Sequence, residues 1–109
     1  MEQASSEWHR VAGVNELKEG EPKSVTIGGW QVALFKIGDA IHAIEDMCTH
    51  EYALLSEGYV EGDVIECPLH QARFHIPTGK VMSAPAEEDV RIFAVRIDGG
   101  DVFVAVPRR

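Results

Sequence analysis

Both cysteines of this 109-residue chain fall in two short motifs, Cys48-Thr49-His50 and, after 16 intervening residues, Cys67-Pro68-Leu69-His70. Each motif supplies one soft thiolate and one borderline imidazole, so together they offer a Cys2His2 metal site with no cysteine left over. That donor set points to electron transfer. Zinc is the main alternative, since two thiolates and two imidazoles can close a tetrahedron. Structural zinc sites, however, usually group like ligands as C-x(2-4)-C and H-x(3-5)-H, and neither spacing occurs here. A disulfide between the two cysteines is a further alternative, but a structural bridge has no need of a histidine two or three residues after each thiol.

The pairing of Cys-x-His with Cys-x-x-His resembles the Rieske family, in which two histidines replace two cysteines on one iron of a 2Fe-2S cluster. The resemblance runs from Glu21 to Val106. It is closest to the small Rieske ferredoxins of bacterial aromatic-ring-hydroxylating dioxygenases, through Cys48-Thr49-His50, Leu55-Ser56-Glu57-Gly58, Glu66-Cys67-Pro68-Leu69-His70-Gln71, Phe74 and Thr78-Gly79-Lys80. It implies that Cys48 and Cys67 bind one iron and His50 and His70 the other. Imidazoles donate less charge than thiolates, which places such clusters at roughly -150 to +300 mV against about -400 mV for plant-type ferredoxins. Two thiolates cancel the charge of the oxidised core, so the protein keeps its formal charge of -8 until it takes up an electron.

Hydrogen bonds to sulfur set the position within that range. High-potential relatives carry a serine and a tyrosine in or just after the second loop, where this chain has Ala72 and Phe74, so the low end is expected. Pro85, in Ser83-Ala84-Pro85-Ala86, stands in the place of the family's proline loop, which covers the cluster. Membrane-complex Rieske proteins bridge their loops with two additional cysteines; Ala53 and Leu69 stand near those places here. Two departures concern the docking surface: Glu51 follows His50 where glycine is common, and Ala72-Arg73 replaces a glycine-containing pair.

Positioning these loops falls to strands. Glycines at 28–29, 38, 62, 79 and 99–100 break the chain at short intervals, and the runs between them have strand composition, which predicts an all-β fold. Trp8–Val11 reads as a first strand and Val14–Leu17 as a single helical turn. Ser24–Ile27 and Trp30–Ile37 flank a two-residue Gly28-Gly29 hairpin turn. Ala40–Ile44 leads into the first motif. Gly58–Glu61 and Val64–Glu66 form a hairpin that returns Cys67 towards His50. Arg73–Ile76 and Lys80–Met82 flank the next turn, and Arg91–Ile97 and Val102–Val106 make a last hairpin. Alternation along these runs suits sheets with one buried face. The expected architecture is thus a Rieske fold of small antiparallel sheets in a single domain, 1–109, whose cluster-binding part, about 46–86, consists of two ligand loops and a proline loop.

Composition bounds the function. Hydrophobic residues make up 45% and charged residues 26%, as in an ordinary globular protein, and a chain of this length buries a core without disulfides. A net charge of -8 argues against nucleic acid, which requires clustered Lys and Arg. The polar, acidic start and the lack of a long apolar run predict a cytoplasmic protein that does not enter a membrane. Residues 45–66 hold seven acids and no Lys or Arg. That run is either a solubility face or, beside a redox site, a docking face for a basic partner. His9 and His42 read as surface or hydrogen-bonded residues, and His75, five residues past His70, as a weaker candidate for a place near the cluster. Trp8 and Trp30 read as core or strand residues. No Rossmann fingerprint, P-loop or nucleophile elbow is present.

The resemblance implies a monomeric one-electron carrier, not an enzyme by itself, that takes electrons from an NADH-dependent flavoprotein ferredoxin reductase and passes them to a terminal oxygenase component. An independent oxygenase would need a 2-His-1-carboxylate iron site, and no paired-His motif remains for one. A Rieske small subunit or redox-sensing module of another oxidoreductase complex is the alternative.

Overall fold

A computed structural model of the chain describes residues 6–49, 53–69, 71–84 and 86–109. Ten strands account for most of it: β1 (Ser6–Gly13), β2 (Lys23–Ile27), β3 (Trp30–Ile37), β4 (Ala40–Glu45), β5 (Tyr59–Glu61), β6 (Val64–Glu66), β7 (Arg73–His75), β8 (Val81–Ser83), β9 (Ile92–Asp98) and β10 (Asp101–Pro107). Six form one sheet in the order β1-β10-β9-β4-β3-β2, and four form a second, β5-β6-β7-β8. Neighbours within both sheets are antiparallel. Single 3-10 turns occupy Val14–Glu16 and Leu55–Glu57. Among the described residues, no helix is long and apolar enough to cross a membrane.

Local turn chemistry explains the hairpins. Gly28 and Gly29 have φ of 56° and 82°, the double left-handed conformation that matches strand twist, and Ile27 pairs with Trp30 across them. The join between the halves of the large sheet is short: β4 meets β9 through Ala43↔Phe93 and Ile44↔Ile92, and the Glu45 N–H extends it by donating to the Arg91 carbonyl at 2.8 Å. The small sheet is inserted between β4 and β9, so the last hairpin returns to the sheet that the first four strands began.

Two apolar clusters fill the molecule, and β3 belongs to both. Val32 and Leu34 pack with Trp30, Phe93, Val102, Val104 and Val106, whereas Ala33 and Phe35 pack with Ile44, Leu55, Ile65, Phe74 and both cysteines. The expectation of one buried face therefore fails at β3, which is covered on one side by β10 and on the other by the small sheet and the cysteine-bearing segments. A side chain such as Phe74, fully buried, stabilises this second core by about 3–5 kcal/mol on the scale of a Phe-to-Ala truncation. Both cysteines thus sit within a packed core.

Trp30 is 7% exposed and donates its indole N–H to the Pro107 carbonyl at 2.8 Å, with the Arg91 and Arg109 guanidinium groups over its ring. Trp8, half exposed on β1, is covered by Arg96. Both tryptophans are strand residues that anchor the large sheet, remote in the chain from the two motifs.

Candidate metal centre

Both cysteine-bearing loops are closed in the same way. Cys48 follows β4 and donates its backbone N–H to the Ala53 carbonyl at 2.9 Å; Cys67 follows β6 and donates to the Ala72 carbonyl at 2.7 Å. Each bond spans five residues and encloses one Cys-to-His segment. The cysteines are 3% and 0% exposed, lie in one apolar cluster and are not disulfide-bonded. The Leu69 N–H lies 3.4 Å from Cys67 Sγ and donates to it. A backbone donor on a buried sulfur, in a loop repeated nearby, suits a thiolate ligand that shares its negative charge with the peptide. His50, His70, Glu51 and Pro85 lie outside the described residues.

The elements around the loops position them. Gly58, at the end of Leu55-Ser56-Glu57-Gly58, passes so close to the Glu66 carbonyl that a Cβ would collide with it. This glycine lets the two loops' flanking strands approach. Ala86 is buried with both cysteines, and Thr49 Oγ1 donates to the Glu88 carbonyl at 2.7 Å, tying the first loop to the segment that follows Pro85. Gly79, at φ 74°, makes room for the Val90 carbonyl and accepts the Val90 N–H at 2.8 Å. The third segment is therefore anchored at both its ends.

Sequence reasoning missed two residues. Gln71 has φ 60° and is the one non-glycine in the left-handed region among the described residues; it directly follows His70. Strain of about 1–2 kcal/mol is stored there, and no residue-type signal reveals it. Asp46 is the other. By sequence it belongs to the acidic run, but it is 0% exposed, the one buried charged side chain among the described residues. Its Oδ1 accepts from the Ser56 N–H at 2.7 Å and its Oδ2 from the Ser56 hydroxyl at 2.6 Å.

The rest of the run is also partly committed. Glu66 pairs with Arg73 at 3.0 Å, Asp63 with His75 at 2.9 Å and Glu45 with Arg91 at 4.0 Å, which leaves Glu57 and Glu61 as the exposed, unpaired acids among the described residues of the run. Glu87, Glu88 and Asp89 add three more beyond it, on the segment tied to Thr49.

His75 serves the small sheet. Its Nε2 meets Asp63 Oδ2 at 2.9 Å and its Nδ1 meets Thr78 Oγ1 at 2.8 Å, so it joins two turns. His42, on β4, lines a shallow cavity of about 170 Å³ with Ile76, Pro77, Ile92 and Phe93. Burial lowers its pKa below the ordinary value and repulsion from His75 lowers it further, while Asp63 partly offsets both. His9 Nε2 is buried without a hydrogen-bond partner among the described residues.

An open polar depression of about 380 Å³ lies beside the second loop, lined by Glu66, Gln71, Arg73, Ser83 and Ala84. Leu69 and Met82 are exposed nearby in the chain.

Comparison with known proteins agrees with this geometry. The profile of the Rieske [2Fe-2S] domain matches residues 7–94, and the chain belongs to that family. Its cofactor is accordingly a Rieske-type 2Fe-2S cluster. The anthranilate 1,2-dioxygenase ferredoxin subunit of Burkholderia cepacia is 45% identical over 101 residues, 93% of this chain and 94% of that one. The ferredoxin of carbazole 1,9a-dioxygenase from Nocardioides aromaticivorans IC177 superposes with a TM-score of 0.87 at 34% identity, covering 93% of this chain and 98% of that one. A chain in the complex of reduced oxygenase and oxidized ferredoxin in carbazole 1,9a-dioxygenase also reaches 0.87, at 37% identity over 94% and 95%. These relatives are ferredoxin subunits, and this chain is likewise an electron-transfer component and not a catalyst.

Proposed function

We propose that Cys48, His50, Cys67 and His70 hold the cluster and that the protein carries single electrons from an NADH-dependent flavoprotein ferredoxin reductase to the terminal oxygenase of an aromatic-ring-hydroxylating dioxygenase. The observation that carries this reading is the repeated loop closure, Cys48 to Ala53 and Cys67 to Ala72, which presents two buried cysteines from one core. When bound, the cluster supplies a reversible one-electron change. The chain does the rest: Leu69 N–H donates to Cys67 Sγ, Thr49 ties the first loop to the segment after Pro85, and the core excludes water behind the thiolates.

In this reading the chain acts in the cytoplasm as a monomer and as one domain, 1–109, with residues of about 46–86 around the cluster. Ala72 and Phe74, both fully buried, have no side-chain hydroxyl to donate to a sulfur, which favours a low potential within the Rieske range. The docking face for the oxygenase combines exposed Leu69 and Met82 with the acids Glu57, Glu87, Glu88 and Asp89. The solved carbazole complex pairs a ferredoxin of this fold with its oxygenase, and the same kind of pairing is expected here.

Freshly made anaerobic protein should hold about two irons and two acid-labile sulfides per chain, with the low average g-value of mixed nitrogen and sulfur ligation when reduced. Rapid mixing of the reduced protein with an oxygenase should oxidise it in a second-order step, and a flavoprotein reductase with NADH should restore it. One equivalent of zinc and no sulfide would overturn the ligand assignment.

A further inference from the structure

Asp46 stands two residues before Cys48 and is fully buried. Its N–H donates to the Gln31 carbonyl at 2.8 Å, which fixes its backbone to the end of the β3–β4 ladder. Its carboxylate takes two hydrogen bonds from one residue: Ser56 N–H to Oδ1 at 2.7 Å and Ser56 Oγ–H to Oδ2 at 2.6 Å. Ser56 sits in the 3-10 turn whose Leu55 belongs to the same buried cluster as both cysteines. The pair therefore closes the chain from 46 to 56 at its base, outside the Cys48–Ala53 hydrogen bond.

Both oxygens of the side chain accept, one from an N–H and one from a hydroxyl, which is the acceptor-only pattern of a carboxylate. Among the described residues no Lys, Arg or His lies within ion-pair distance of it. An unpaired buried charge is costly to the fold, and an amide of the same shape could accept from the Ser56 N–H at less cost. The charge itself thus calls for a role. Two residues of chain span at most about 7 Å between Cα atoms, which places this charge within reach of anything bound at Cys48.

We propose that Asp46 is a positioning residue for the redox centre: locked by Ser56, it holds the first ligand loop shut and fixes a negative charge at its base that makes the cluster harder to reduce. This rests on Cys48 being a ligand. A charge acting through the protein interior at about 10 Å changes a one-electron equilibrium on the order of tenfold, which is about 59 mV.

The test uses the holoprotein with Asp46→Asn and Ser56→Ala, each assayed for iron and sulfide, visible spectrum, midpoint potential and exchange of the Ser56 amide proton. Asn keeps an acceptor for the Ser56 N–H and its amide can donate to the hydroxyl, so the loop stays closed while the charge is lost. The potential should rise about tenfold in equilibrium terms. Ala keeps the charge and removes one donor that shares it, so the potential should fall by a smaller amount, with faster exchange at residue 56. Shifts of opposite sign with full iron support the proposal, because simple loosening would move both variants the same way. An unshifted Asp46→Asn protein that keeps its cluster, or shifts of the same sign, overturns it. If Asp46→Asn does not hold iron, Ser56→Ala decides alone: a lowered potential supports the proposal and an unchanged one overturns it. Cys48→Ala serves as the separate control, since full iron and sulfide in that variant would overturn the ligand assignment and not the electrostatic effect.

Discussion

Thr49 Oγ1 donates to the carbonyl of Glu88 at 2.7 Å, across 39 residues of sequence, and so joins the Cys48 loop to the segment after Pro85. Ala86 lies in the same buried cluster as the cysteines, and the Gly79–Val90 bond closes the base of the segment that Thr49 holds.

Thr49→Val keeps the shape of the side chain and removes the donor. The fold should lose only about 0.5–1 kcal/mol, as for one partly solvated hydrogen bond. The cluster should nevertheless bleach several-fold faster in the presence of an iron chelator, because the covering segment opens more often. Bleaching at the wild-type rate would show that the tie does not hold the cover.

Gln71 tests the strain beside the second loop. Its φ of 60° disfavours most side chains, and a β-branched one most of all. Gln71→Gly should be at least as stable as the parent, because relief of about 1–2 kcal/mol of strain exceeds the entropy that glycine adds to the unfolded chain. Gln71→Val should lower the melting temperature and the iron content. Equal melting temperatures for the two variants would show that the left-handed conformation at 71 is not held in the folded protein.

Much of the fold could be read along the chain because its turns are local. Gly28-Gly29 needed only its own left-handed pair, and the hairpins around Gly62-Asp63 and Gly99-Gly100 likewise lie within a strand or two of their edges. The return of β9 to β4 is different, since two residue pairs nearly 50 positions apart make it and no local pattern encodes them. Burial of β3 on both faces followed from that return. The same limit hid Asp46: in a run of acids its charge reads as solvated, and only Ser56, ten residues on, reveals that it is enclosed. The proposed ligand set rests on a stronger kind of signal, because metal chemistry restricts both residue type and spacing. His75, by contrast, was near in sequence to His70 yet is engaged by Asp63 and Thr78.

His42 should make stability depend on pH. Its folded-state pKa is lowered, first by burial and then by His75, with Asp63 opposing, so the unfolded chain binds the proton more readily. Stability is therefore fully present above the ordinary histidine value of about 6.5 and falls as pH drops through that value towards the lowered folded one. His42→Gln should flatten this part of the profile. The quantity to measure is the difference in melting temperature between parent and variant from pH 8 to pH 5, which should change with pH; a constant difference would count against the burial of a neutral imidazole.

Docking should be electrostatic, and Glu88 is the residue that reports on it. Its carbonyl is held by Thr49 while its side chain is exposed, and Glu87 and Asp89 flank it. This gives the loop face a cluster of negative charge in addition to Glu57. Charge complementarity chiefly raises the encounter rate, and salt screens it beyond a Debye length of about 8 Å at physiological strength. Electron transfer to the oxygenase should slow as salt rises. Glu88→Lys should slow it several-fold more at low salt, leave the cluster spectrum and potential unchanged, and converge on the parent rate at high salt where the charges no longer steer. A rate that ignores both salt and the charge reversal would assign docking to Leu69, Met82 and their apolar surroundings, and return the acids to the role of keeping the protein in solution.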